Sequence, residues 1–273
     1  STGISKGGQT TMIHRSKYPE DVDASVCYVA PLNFAREDKR IYHFLDTVGT
    51  EAQRRQVEDF QLLCLQRKDS LVPMLKSMAT AREWSWEMGV DKAFEYYVLE
   101  YSFAFWQWGG IKFDKIPTKE ASNLDVLIHL LRTSGVSFFE EKGVENLQPF
   151  FYAALTEMGI YGYEYEPFKA YLSQQKDYTF DFAFPEGYNV PFSDSTMLAV
   201  DQFIQNEGDQ MLFIYGGKDT WSATAVQLSQ GAKDRGLKKY VHPDGHHGTR
   251  IRSFRGKTRR EIRKTIKNWL SPH

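Results

Sequence analysis

Apolar positions along this chain follow different rhythms in three successive zones. Residues 1–35 read as a turn, a helix and a strand. A helix-compatible run spans 7–14, directly after a Gly-rich turn. Residues 24–30 (Ala-Ser-Val-Cys-Tyr-Val-Ala) form an unbroken buried-strand run that Pro31 ends. From 36 to 195 the strand signal disappears. Val57, Phe60, Leu62, Leu63 and Leu65 sit among Glu, Gln, Arg and Lys in 51–68, as an amphipathic helix requires. Residues 91–108 are dense in aromatics, 123–132 and 148–158 are further helical runs, and 161–191 reads as loop rich in Tyr, Phe and Pro. From 196 to 273 elements alternate again: helix 197–205, strand 210–215, turn 216–219, helix 222–233, strand 238–242, loop 243–248 and a last basic helix.

Strand–helix alternation at these lengths predicts βαβ units and a mainly parallel sheet. The expected architecture is therefore α/β, with a core made of 1–35 and 196–273 and a helical insertion over 36–195. No internal repeat or low-complexity tract interrupts it.

Composition narrows the function classes. The 273 residues are 41% hydrophobic and 15% aromatic, enough to bury a core of one large domain or two smaller ones. With 34 basic and 35 acidic residues the formal charge is −1, so no overall field draws the chain to nucleic acid. Arg250, Arg252, Arg255, Lys257, Arg259, Arg260, Arg263, Lys264 and Lys267 concentrate charge near the C-terminus. At helical spacing they leave Phe254, Ile262, Ile266, Trp269 and Leu270 for an inner face, so a solvated outer face is preferred to a polyanion site. Cys27 and Cys64 lie in apolar runs and read as buried free thiols. No apolar stretch approaches the length of a membrane span. His14 faces out of the first helix, while His43, His129 and His242 read as structural or solvent-facing. They have no ligand spacing, so neither a metal nor another cofactor is expected.

Chemistry concentrates in three short segments. Gly3-Ile4-Ser5-Lys6-Gly7 matches G-x-S-x-G, the tight strand-to-helix turn that lifts a serine above a sheet. Glycine is expected at both flanking positions because a side chain there would meet neighbouring backbone. The amide of Lys6 then points toward a developing oxyanion. Asp219 ends the turn after the strand 210–215, where a carboxylate can orient an imidazole; capping the next helix is the competing role. His246 and His247 share the loop Pro-Asp-Gly-His-His-Gly, behind one more helix and strand. His247, directly before Gly248, is preferred over His246. The order Ser5, Asp219, His247 is the order of an α/β-hydrolase triad.

The runs Ser-Thr-Gly-Ile-Ser-Lys-Gly-Gly-Gln-Thr-Thr and Tyr28-Val-Ala-Pro-Leu-Asn-Phe resemble the secreted bacterial tripeptidyl aminopeptidases, serine peptidases distantly related to prolyl carboxypeptidase. Glu100-Tyr-Ser-Phe-Ala-Phe-Trp-Gln-Trp, Tyr215-Gly-Gly-Lys-Asp-Thr-Trp-Ser-Ala and the His-His-Gly-Thr-Arg-Ile loop share that resemblance. It implies an α/β-hydrolase core with a helical lid, a peptide substrate cleaved near a free N-terminus, and a secreted, periplasmic or cell-envelope address. It also implies a long N-terminal part holding the first strands and the oxyanion loop, so the core is expected to be incomplete without that part. An aminopeptidase needs a carboxylate for the substrate ammonium, and Glu100 is the first candidate, followed by Glu164 and Glu166. An esterase or lipase on the same fold, or a non-catalytic binding module, are the alternative readings.

Overall fold

The structure, a computed structural model, describes residues 1–173, 178–184, 187–188 and 190–271. In chain order its elements are β1 (Thr2–Ile4), α1 (Lys6–Lys17), β2 (Ser25–Tyr28), α2 (Arg40–Thr47), α3 (Glu51–Gln66), α4 (Lys68–Arg82), α5 (Val90–Trp108) and α6 (Asn123–Ser134). There follow α7 (Glu141–Asn146), α8 (Gln148–Ala153) running into a π turn (Ala154–Met158), α9 (Ser195–Asn206), β3 (Met211–Gly216), α10 (Gln230–Asp234), β4 (Lys238–His242) and α11 (Gly256–Trp269). The fold is α/β, and its strands form one parallel four-stranded sheet in the order β1-β2-β3-β4. Among the described residues no helix is long and apolar enough to cross a membrane.

The chain separates into two compact units, one of Ser1–Ile41, Thr156–Ile160 and Val190–His273, the other of Tyr42–Leu155 and Tyr161–Asn189. The first holds the sheet. On one side Val26, Leu212 and Ile214 pack with Phe254 and with Ile262, Ile266 and Trp269 of α11. Cys27, Met211, Phe213 and Tyr215, of opposite parity, are equally buried, so the central strands are covered on both faces, as parallel strands require. Helix α1 packs against β1, β2 and α9. The basic residues of α11 turn outward as its spacing predicts, but Leu270 is left 57% exposed rather than joining the inner face. Residues 156–160 join this unit through Asn33, whose Nδ2 donates to the carbonyls of Met158 and Gly159, both at 3.0 Å.

The second unit is helical and built around α5. Its Phe94, Tyr96, Tyr97, Tyr101 and Phe103 are almost wholly buried, so the aromatic run is core. Their polar tips find partners: the Tyr97 hydroxyl accepts from Trp86 Nε1 and donates to the Val136 carbonyl, each at 2.9 Å. Two stretches depart from the sequence reading, one in each unit. The expected helix 222–233 is a 3-10 turn (Thr220–Thr224) and the short α10, because residues between them run extended and Ala225 bridges to Pro31. The expected loop 161–191 contains 3-10 turns at Glu166–Phe168 and Phe180–Ala183, and part of it lies outside the described residues.

Candidate active site

A parallel sheet gathers the ends of its strands, and this one gathers the three predicted residues at its C-terminal edge. Ser5 directly follows β1, Asp219 follows β3 and His247 follows β4. Ser5 adopts φ 56° and ψ −124°, a left-handed backbone that a non-glycine residue occupies only when its surroundings impose it. Its amide donates to the Tyr28 carbonyl at 2.9 Å, tying the turn to the end of β2. Next to it Val29, a buried β-branched residue, sits at φ 44°, and its amide donates a hydrogen bond of 2.7 Å to the Ile214 carbonyl. No sequence signal marked that second strained residue.

The glycines of the turn are not equivalent. A Cβ on Gly3 would lie 2.0 Å from the Gly7 carbonyl oxygen, and one on Gly8 would lie 2.5 Å from the Ala30 side chain. A Cβ on Gly7 would meet nothing within 4 Å. The expectation of a steric need at Gly7 is therefore corrected, because the crowded second position is Gly8. Lys6 opens α1, so its amide belongs to the first turn, whose N–H groups have no helical partner.

Asp219 makes contacts of both kinds that its sequence context suggested. Its side chain accepts from the Trp221 amide at 3.2 Å, capping the 3-10 turn, and its other oxygen meets His247 Nδ1 at 2.8 Å. Asp219 is fully buried and His247 is 5% exposed. Burial lifts the Asp219 carboxyl above its usual range, and the bond to His247 pulls the other way. With Asp219 ionised, His247 carries its proton on Nδ1 and keeps the Nε2 lone pair. The two loops are zipped together: Gly217 N donates to the His242 carbonyl and Lys218 N to that of Gly245, each at 2.8 Å. Lys218 also pairs with Asp244 at 2.7 Å. Thr249 closes the histidine loop by donating its hydroxyl to the His246 carbonyl at 2.7 Å.

The three candidate glutamates belong to the second unit and have separate surroundings. Glu100 is buried on α5 and accepts from the Tyr161 hydroxyl at 2.9 and 3.0 Å and from the Tyr163 hydroxyl at 2.8 Å. Burial pushes its carboxyl up to about 8, with the two tyrosine bonds opposing. Glu164 is exposed and lines a cavity of about 320 Å³ whose walls include Phe103, Trp106, Tyr163 and Phe168. Asp46, Glu51 and Glu58 line the same cavity; Glu51 pairs with Arg55 at 2.7 Å. Burial, then the neighbouring Asp46 charge, raises the Glu164 carboxyl. Glu166 is exposed and pairs with Lys169 at 3.3 Å. Asp46 and Glu58 carried no sequence signal, since only folding places them beside Glu164. Among the described residues no cluster of His, Cys, Asp and Glu is gathered to hold a metal ion.

The chain is 29% identical over 279 aligned residues to the prolyl tri/tetrapeptidyl aminopeptidase of Streptomyces mobaraensis, covering 98% of the chain. The alignment spans 57% of that relative's length. The family described as PS-10 peptidase S37 matches residues 1–271, and the chain belongs to that family.

Proposed function

We propose that this chain carries the catalytic triad and the lid of an exported serine aminopeptidase that releases short peptides, with Ser5 as nucleophile. The observation that carries the reading is the buried Asp219–His247 hydrogen bond, on the same sheet edge as a serine held in a strained turn. His247 Nε2 takes the proton of the Ser5 hydroxyl as its oxygen bonds to the scissile carbonyl carbon. Asp219 keeps the imidazole oriented and stabilises the imidazolium. The Lys6 amide donates to the oxyanion. Collapse of the tetrahedral adduct breaks the C–N bond, and His247 passes the proton to the leaving amine. Water then repeats the sequence on the acyl-enzyme, with His247 again as base, and frees Ser5.

The fold reading is an α/β-hydrolase core with the helical second unit as its lid. Among the described residues the outer edge of β1 pairs with no strand. The relative's length exceeds the shared stretch, so full activity is assigned to a protein whose additional part pairs with β1 and completes the oxyanion hole. The substrate ammonium is assigned to the acidic cavity of the second unit, with Glu164 and Asp46 as its carboxylates. Aromatic walls there add cation–π attraction, and Glu100 fixes the Tyr163 hydroxyl from behind. Glu166, committed to Lys169, supplies rim charge only.

The test is labelling by a fluorophosphonate, on this chain and on the complete protein, with Ser5→Ala as control. Labelling that vanishes in Ser5→Ala, together with hydrolysis of peptidyl rather than acyl-ester chromogenic substrates, is the expected result. A complete, folded protein that stays unlabelled ends the triad assignment. One that cleaves esters alone makes the enzyme an esterase.

A further inference from the structure

The arginine that closes the His-His-Gly-Thr-Arg run does none of the work described so far, yet it is the most connected cation at the sheet edge. Its Nη1 donates to the carbonyl of His247 at 2.9 Å and to that of Thr249 at 2.7 Å. Its own amide donates to the Ser253 hydroxyl at 3.1 Å. The guanidinium carbon stands 5.5 Å from the centre of the Tyr28 ring, within cation–π range. Among the described residues no carboxylate lies within ion-pair distance of it. Arg250 thus spends its fixed planar donors on the backbone of one loop, a task the ammonium of lysine performs poorly.

Tyr28 makes this arrangement more than local bracing. Its ring supports Arg250 from the side, while its backbone carbonyl accepts the Ser5 amide. One residue at the end of β2 therefore holds the serine turn through its main chain and the histidine loop through its side chain. The two are otherwise on strands that do not touch, since β1 and β4 are the outer strands of the sheet. Burial raises the Tyr28 hydroxyl, and the nearby Arg250 charge opposes that rise.

We infer that Arg250 is a positioning residue that, through Tyr28, fixes the His247 loop relative to the Ser5 turn. The inference rests on the serine-peptidase reading for its consequence in catalysis, and on geometry alone for the placement of His247. Arg250 touches neither reacting atom. Its effect is to hold the His247 main chain so that the imidazole keeps both Asp219 and the direction of attack, where displacements of about 1 Å cost about a hundredfold in rate.

The test uses the complete protein with Arg250→Met, Arg250→Lys and Tyr28→Leu, and Arg252→Met as a control for lost positive charge. Arg252 is exposed and outside the hydrogen bonds just described. Expected for Arg250→Met is a kcat lower by about a hundredfold with KM within about twofold. Arg250→Lys recovers part of that loss, and Arg252→Met changes neither constant. The low-field proton resonance of His247 Nδ1–H reports the Asp219 bond without turnover, and it broadens in Arg250→Met while the melting transition stays cooperative. Should Arg250→Met fail to fold, Arg250→Lys and Tyr28→Leu carry the comparison. A kcat that survives Arg250→Met within about twofold, or an equal loss in Arg252→Met, overturns the inference. If wild type neither labels nor hydrolyses, the peptidase reading has failed, and the Nδ1–H resonance alone still decides whether Arg250 places His247.

Discussion

A methyl group added at Gly3 would land on the Gly7 carbonyl, and backbone on both sides leaves neither partner room to retreat. Gly3→Ala is therefore expected to cost more than about 2 kcal/mol, in the range of forced overpacking. Gly7→Ala is expected to be neutral, or to stabilise by up to about 1 kcal/mol through helix propensity, because Gly7 is an exposed first-turn residue of α1 with open space around its Cα. Urea denaturation of the two variants separates them, and equal losses would show that the turn is crowded at both glycines. G-x-S-x-G reads as two glycines with one reason, and the fold divides that reason between Gly3 and Gly8. The triad candidates were readable because strand order and turn chemistry are local signals. Tyr28, Val29 and Arg250 were not, since each draws its importance from contacts across the sheet edge.

At the scale of elements, α5 carries two buried glutamates with opposite pH behaviour. Glu95 is lifted by burial but lowered further by Lys68 at 2.5 Å, by the Tyr178 hydroxyl and by Ser173, so its carboxyl ends below the usual range. Its contribution is present above the ordinary glutamate range and is lost as pH falls through its lowered folded value. Glu100 ends near 8, so its contribution is present in acid and is lost as pH rises from the ordinary range to about 8. Within that window the wild type sheds up to about 1.4 kcal/mol of stability per pH unit through this one proton. Glu100→Gln should flatten the fall between pH 5 and 8, whereas Glu95→Gln should cost about 2–4 kcal/mol at pH 7 and progressively less in acid. Denaturant midpoints of the wild type and both variants at pH 4, 6 and 8 give the answer; parallel curves would mean neither carboxyl titrates as described. Helix α5 was legible from its aromatic density and α3 from its period. Helix α4, which holds Pro73 inside it, was not anticipated, and the helix expected over 222–233 gave way to a bridge with Pro31 that no local pattern encodes.

At the scale of the whole chain, residues 156–160 are the part that no sequence pattern could assign. They lie inside a long helical stretch yet belong to the sheet-bearing unit, so the chain passes between its units four times, at 41/42, 155/156, 160/161 and 189/190. What recruits them is long-range: the Asn33 amide on the Met158 and Gly159 carbonyls, and backbone bonds of Ile160 with Arg36 at 2.8 Å and with Asp38 at 3.4 Å. Gly159 takes φ 71°, and a Cβ there would lie 2.5 Å from the Ala35 carbonyl, so the segment is shaped to fit under 33–38. Asn33 is fully buried, and Asn33→Ala would remove the donor of the Gly159 carbonyl, at a cost of about 1–3 kcal/mol where no water reaches it, and leave the Met158 carbonyl with the longer 3.4 Å bond from Gln9 Nε2. The expected signature is regional. Hydrogen exchange at the amides of Ile160 and Asp38 should accelerate by at least about tenfold in Asn33→Ala, while amides inside α5 keep their protection. Uniform acceleration across both units would mean that Asn33 supports global stability only. No change at Ile160 would mean that the segment is held by its own backbone bonds, and that the asparagine of Pro-Leu-Asn-Phe has a role the fold does not reveal.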